Sequence, residues 1–218
     1  MLLGARQFFE RRGAPPPALP YDAEVEWLES TGTQWIDTGL PISQNLRIVI
    51  RTMLTMLENP SMPVGANSGR RWFGFGMYGS LYFRIGTCSV LSDYMYGEYS
   101  IKLSLDTLWH TVTLDSTEGL HNAYGDIDGL GRRVATSGSA SGINLYLFGC
   151  NGTAGPAKCR ISGASFVNTI TGDVLEDFTP VRFTNEQGVR EGAMYDRVSG
   201  ALFRNAGTGD FVIGPDKS

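Results

Sequence analysis

The chain has 218 residues, 42% of them hydrophobic and 18% charged, with a formal net charge of −4 and a pI of about 5.2. That length suits one domain with a sizeable core, and the composition is that of an ordinary globular protein. The acidic balance, with arginine pairs only at 11–12, 70–71 and 132–133, lacks the basic stripe of a nucleic-acid binder. No apolar run approaches the roughly 18 residues of a membrane-spanning helix, so membrane insertion is not expected.

In chain order, residues 1–12 (MLLGARQFFERR) offer Leu2, Leu3, Phe8 and Phe9 as the apolar positions of a short helix. GAPPPALP follows, and its prolines end any helix and make a stiff extended spacer. Residues 1–20 therefore read as a leader and Pro-rich linker, and residues 21–218 as one domain. The leader is either a disordered extension or a docking segment that anchors the domain to a larger assembly. It has no continuous apolar stretch and no cleavage-like site, so it is not a signal peptide. Synthesis in the cytoplasm is expected, and a place on a virion or outside the cell would be reached by another route.

From Tyr21 the sequence turns to period two. Tyr21, Ala23, Val25 and Trp27 alternate with Asp22, Glu24 and Glu26, as in a strand with one apolar and one wet face. STGT predicts a turn, and QWIDTG the next extended piece, with Val25, Trp27 and Trp35 expected in the core. LRIVIRTML (46–54) alternates again, and 71–86 predicts two strands joined around Met77, Tyr78 and Gly79. Residues 101–105 and 109–116 are further strands. Asp128-Gly129 is a hairpin-turn dipeptide. Strands are also predicted at 143–149, 157–168 and 176–183, and in two short runs around the Asp-Arg-Val-Ser-Gly turn at 196–200. With 28 glycines at short intervals and no helix-period stretch after the leader, the pattern is that of an all-β sandwich or jelly roll.

Several residues carry candidate chemistry. Glu24, Glu26 and Glu29 fall at E-x-E-x-x-E spacing, and retaining glycosidases use two carboxylates about 5–5.5 Å apart. The spacing resembles the E-x-D-x-x-E strand of laminarinase-type β-glucanases, with Glu26 where that family has Asp. Against that reading, a Glu there would crowd the site, the motif comes before any other strand, and the apolar alternation already explains these acids as a wet strand face. Trp72, Tyr78, Tyr94 and Tyr96 are flat aromatics that suit the C–H face of a sugar, and Asn151 would add a polar contact. Core packing is the other reading of Trp72. Asp126 and Asp128 in YGDIDG would suit Ca2+ in a loop, or simply form the turn. His110 shares a face with Val112 and Leu114 and reads as structural, and His121 as solvated. Cys150 and Cys159 flank NGTAGPAK, a spacing that allows a disulfide across a hairpin. With Cys88 the count is odd, so there is no disulfide framework.

WLESTGTQWIDTGL, LWHTVTLDS with YGDIDG, NLYLFG, VLEDFTPVRF and MYDRVSGALFRNAGTGDF together resemble LamG-like domains of the concanavalin A-like lectin/glucanase superfamily. The resemblance spans about residues 21–214 and is nearest to versions found in phage and prophage structural or tail-associated proteins of gut bacteria. It implies a two-sheet antiparallel jelly-roll sandwich, and glycan binding rather than hydrolysis. Three functions are thus expected, in this order: a non-catalytic carbohydrate-binding or adhesion module, displayed on a phage-like or surface assembly through its N-terminal segment; a purely structural or protein-interaction domain with no sugar site; and a diverged glycoside hydrolase using Glu24 and Glu29.

Overall fold

The computed structural model describes residues 18–43, 45–56, 61–67, 71–77, 81–87, 107–115, 124–129, 132–133, 142–151 and 157–218. The leader, the strand expected at 101–105, His121, and Tyr78, Tyr94 and Tyr96 lie wholly or largely outside these residues. Among the described residues there are sixteen strands and no helix. They run β1 (Ala23–Glu24), β2 (Leu28–Thr31), β3 (Ile36–Pro41), β4 (Leu46–Leu54), β5 (Ser61–Asn67), β6 (Arg71–Met77), β7 (Leu81–Thr87) and β8 (His110–Asp115). Then come β9 (Tyr124–Ile127), β10 (Arg132–Arg133), β11 (Asn144–Leu147), β12 (Lys158–Asn168), β13 (Val174–Thr184), β14 (Arg190–Asp196), β15 (Leu202–Phe203) and β16 (Val212–Ile213). No described helix is long and apolar enough to cross a membrane.

The strands form two antiparallel sheets. The larger follows the order β10-β9-β8-β4-β12-β13-β14-β15, with β1, β2 and β16 attached, and the smaller is β3-β11-β5-β6-β7. The alternation of LRIVIRTML holds along the whole of β4, where Leu46, Ile48, Ile50, Thr52 and Leu54 are buried and Arg47 and Arg51 are exposed. Its buried residues meet Val112, Leu114, Phe166 and Phe178 of the same sheet and Ile36, Val64, Ala66, Leu145 and Leu147 of the other, in one apolar cluster. Each such side chain contributes about 1.5–3 kcal/mol by leaving water. The architecture is therefore a sandwich-like all-β fold, as the alternation predicts.

One proline explains how the opening segment enters the larger sheet. β12 and β13 pair from Val167–Val174 to Ala164–Phe178. Pro180 has no N–H to continue that ladder. Its carbonyl instead accepts the Val25 N–H at 3.0 Å, and β1 pairs with Val181 and Arg182. A register shift between Ile161 and Gly163 turns β12 aside, and its first residues pair with β2. The closing segment then lies along the opening one: Val212 and Ile213 pair with Glu29 and Leu28, and Lys217 N–H donates to the Glu24 carbonyl at 2.9 Å.

Two of the expected core residues need correction. Val25 is fully buried, but Trp27 and Trp35 are only half-buried. Trp27 lies on the outer face of the larger sheet, with the Arg160 guanidinium 4.0 Å from its ring centroid. Gly214 covers it closely, since a Cβ there would come within 2.8 Å of the indole. The residue breaks the simple alternation because the chain leaves β1 at an isolated bridge, Val25 with Asp216, before β2 begins. Two strands, β5 and β16, have no counterpart in the sequence reading, and β2 overruns the expected turn. β5 contains Pro63 and Gly65, which signal a loop, yet a register shift between Ser61 and Val64 accommodates the proline within the strand. β2 begins ahead of the expected STGT turn and takes in Ser30 and Thr31; the turn itself is pinned by the buried Gln34, whose Oε1 accepts the Thr31 N–H at 2.8 Å. β16 is too short for a periodic signal.

Candidate functional site

The three acids of EVEWLE go to separate places. Glu24 is the centre of an ion-pair network: Arg197 Nη2 donates to both of its carboxylate oxygens, at 3.0 and 2.9 Å, and Lys217 Nζ lies at 3.3 Å. The Thr179 and Tyr21 hydroxyls complete the shell. Burial alone would raise its pKa, but the hydrogen bonds from Arg197 and Lys217 outweigh that and hold the carboxyl below its ordinary value. Glu26 is exposed. Glu29 accepts from Arg160 Nε at 2.6 Å, beneath the Trp27 stack. Glu24 therefore stays ionised, whereas a general acid needs a raised pKa. Glu24 and Glu29 each tie one strand to another across the outer face.

A different group of residues forms a mixed aromatic and polar patch on the outer side of the smaller sheet. β3 and β11 pair so that Asp37 stands opposite Tyr146 and Ile36 opposite Leu147. Ile36, Thr38, Leu145 and Leu147 turn inward and are buried, which leaves Trp35, Asp37, Asn144 and Tyr146 half-buried on the other side. The Trp35 and Tyr146 rings meet edge to face at 5.6 Å and 63°. Asp37 Oδ1 accepts the Gly39 N–H at 2.8 Å and Asn144 Nδ2 at 3.2 Å, and the Tyr146 hydroxyl also bonds to Asp37. Trp35 is fixed from below by the closing segment: its N–H donates to Asn205 Oδ1, its carbonyl accepts the Ala206 N–H, and Gly207 packs against the indole. Two aromatic rings, an amide and a carboxylate are thus held together at the surface. The sequence carried the alternation that turns these residues outward. It carried no sign that strands more than a hundred residues apart are neighbours.

The residues singled out from the sequence are not gathered at one place. Trp72 lies in β6, paired through its backbone with Asn67 and Gly86. Asn151 is exposed just beyond β11. Asp126 lies in β9 opposite Thr113, and Asp128 opens the hairpin with Gly129, both at positive φ (51° and 83°) as a two-residue Asp-Gly turn requires. Asp128 Oδ2 is 2.6 Å from His110 Nδ1, and its Oδ1 accepts the Thr111 N–H at 2.8 Å. Burial would raise its pKa, but these partners hold it low. Each oxygen of Asp128 is thus already engaged, one by His110 and one by the Thr111 N–H. Among the described residues no group of three His, Cys, Asp or Glu is arranged to hold a metal.

Cys150 and Cys159 are both buried, and no disulfide joins them, contrary to the bridge that the spacing allows. The Ala157 N–H donates to the Phe148 carbonyl at 3.0 Å, a register that does not set 150 against 159. Cys159 lies in the larger sheet between Ser30 and Leu54. Burial pushes its thiol pKa far up, which makes it a poor nucleophile. The melting temperature should accordingly be the same with and without reductant; a fall on reduction would establish a bridge.

Among the described residues, one carboxyl is turned inside without a full set of partners. Glu176 stands opposite the buried Phe166 in register and is itself 8% exposed. Its Oε2 has no hydrogen-bond partner among the described residues. Burial, then the charges of Asp196 and Asp37, push its carboxyl up to about 8. Asp196 is also buried, but it accepts the N–H groups of Asp177, Val198 and Ser199 and stays ionised.

Compared with known proteins, the chain matches no family model and no curated protein sequence.

Proposed function

We propose that the chain is a non-catalytic glycan-binding or adhesion module on a LamG-like jelly roll. The observation that carries this reading is the surface patch of Trp35, Tyr146, Asp37 and Asn144. An aromatic corner offers the C–H face of a pyranose a flat support, and an adjacent amide and carboxylate offer its hydroxyls an acceptor and donor pair. The ion pairs of Glu24 and Glu29 argue against hydrolysis, since both carboxylates are already neutralised by arginine or lysine. Affinity per site would be modest. Display in several copies, on a phage-like or surface assembly reached through residues 1–20, would raise avidity.

The test is a glycan array read with a multivalent display of the full chain. Binding to a subset of glycans is expected, and Tyr146→Ala should lower it at least about tenfold, the loss expected when an aromatic platform of about 1.5 kcal/mol is removed. The melting temperature of the variant should stay within a few degrees of the wild type. An empty array would overturn the proposal in favour of a structural or protein-interaction domain. That second reading draws support from the way Asp37 already satisfies its neighbours within the patch.

A further inference from the structure

Resting on the glycan-binding reading, we infer that the patch prefers uncharged or amine-bearing sugars over sialylated, uronate and sulfated ones. Asp37 stands at its centre, and its three donors, the Gly39 N–H, Asn144 Nδ2 and the Tyr146 hydroxyl, are all neutral. They hold the carboxylate in place without cancelling its charge. Three acids of the larger sheet are treated differently: Glu24 has Arg197 and Lys217, Glu29 has Arg160, and Asp115 has Arg47. Among the described residues no arginine or lysine pairs with Asp37.

That charge acts on its surroundings. Burial, then the charge of Asp37 and the hydrogen bond to it, hold the Tyr146 phenol above its ordinary value. Asp37 also adds to the repulsion on Glu176 inside the sandwich. A sugar seated on Tyr146 presents its substituents to this carboxylate. A hydroxyl can donate to it and an ammonium is attracted, while a carboxylate or sulfate meets a like charge that no described arginine or lysine pairs with. At about 5 Å in a water-like dielectric, one like charge weakens binding about fourfold, and more where solvent is excluded.

The wild-type array pattern tests this without any variant. Neutral oligosaccharides and free-amine chitosan fragments should be retained, with matched sialylated, uronate and sulfated glycans at least about fourfold weaker. Asp37→Asn, checked for fold by circular dichroism and melting temperature, should narrow that gap to within about twofold. Equal retention of acidic glycans by the wild type would overturn the inference and leave the glycan-binding proposal standing. An unchanged gap in Asp37→Asn would overturn the role given to Asp37. An empty array would remove both.

Discussion

Glu176→Gln is expected to make the protein more stable than the wild type at pH 8–9, by on the order of 3 kcal/mol, and to bring no such gain at pH 5. The carboxyl of Glu176 has a pKa of about 8 in the fold, against an ordinary value of 4.5, because burial disfavours its charged form. The charges facing it, Asp196 on β14 and Asp37 on β3, are both negative and deepen the effect. The folded state therefore binds a proton that the unfolded state has released between these two values, and stability falls as pH rises across that window. Below about pH 4.5 the contribution is complete; above about pH 8 it is gone. Gln keeps the size and removes the ionisation, so the slope should flatten. Melting temperatures of both proteins from pH 5 to 9 supply the check. Parallel curves would mean that Glu176 is neutralised by some other route in the wild type.

Phe166→Ala should cost about 3–5 kcal/mol, and substantially more than Trp27→Ala. Phe166 is fully buried in β12, between β4 and β13, and meets the Phe178 ring edge to face at 5.8 Å. Phe178 in turn meets Phe203 at 5.0 Å, so the cavity would open at the inner end of an aromatic row and take away one ring of the Phe166–Phe178 pair. Trp27→Ala removes a partly exposed ring at the surface of the larger sheet and leaves Arg160 still paired with Glu29. Its loss should be closer to 1–2 kcal/mol, that of a cation–π contact plus partial burial. Urea unfolding of both variants gives the ranking, and the reverse order would put the indole, not Phe166, at the centre of the fold.

That ranking also marks where the sequence was legible. β4, β8, β12 and β13 are long enough for period two to show, and the Asp-Gly hairpin follows from turn chemistry alone. Alternation misplaces Trp27 because it assumes one continuous strand, and the chain from 22 to 31 is two short ones wedged where Pro180 interrupts the ladder. β5 was hidden because Pro63 and Gly65 signal a loop unless a bulge is known. Of the acids of EVEWLE only Glu26 is exposed as the wet-face reading expects; Glu24 and Glu29 are half-buried beside cations, Arg197, Lys217 and Arg160, that come from strands and turns far along the chain. The same distance hid the Trp35–Tyr146 patch. Each half was visible as outward alternation, and only the pairing of β3 with β11 joins them. Glu176 falls in VLEDFTPVRF, where alternation with Phe178 points it inward, and a charge at an inward position was the available clue.

The pairing of residues 24–29 with 212–217 has a mechanical consequence. The two segments run antiparallel, so Glu24 and Lys217 lie at the same end of the shared ladder. A force pulling those ends apart would peel the hydrogen bonds one after another instead of loading them together. The seam would part under a weak tug, and any particle that carries this domain in tension would do better to hold it by one end only.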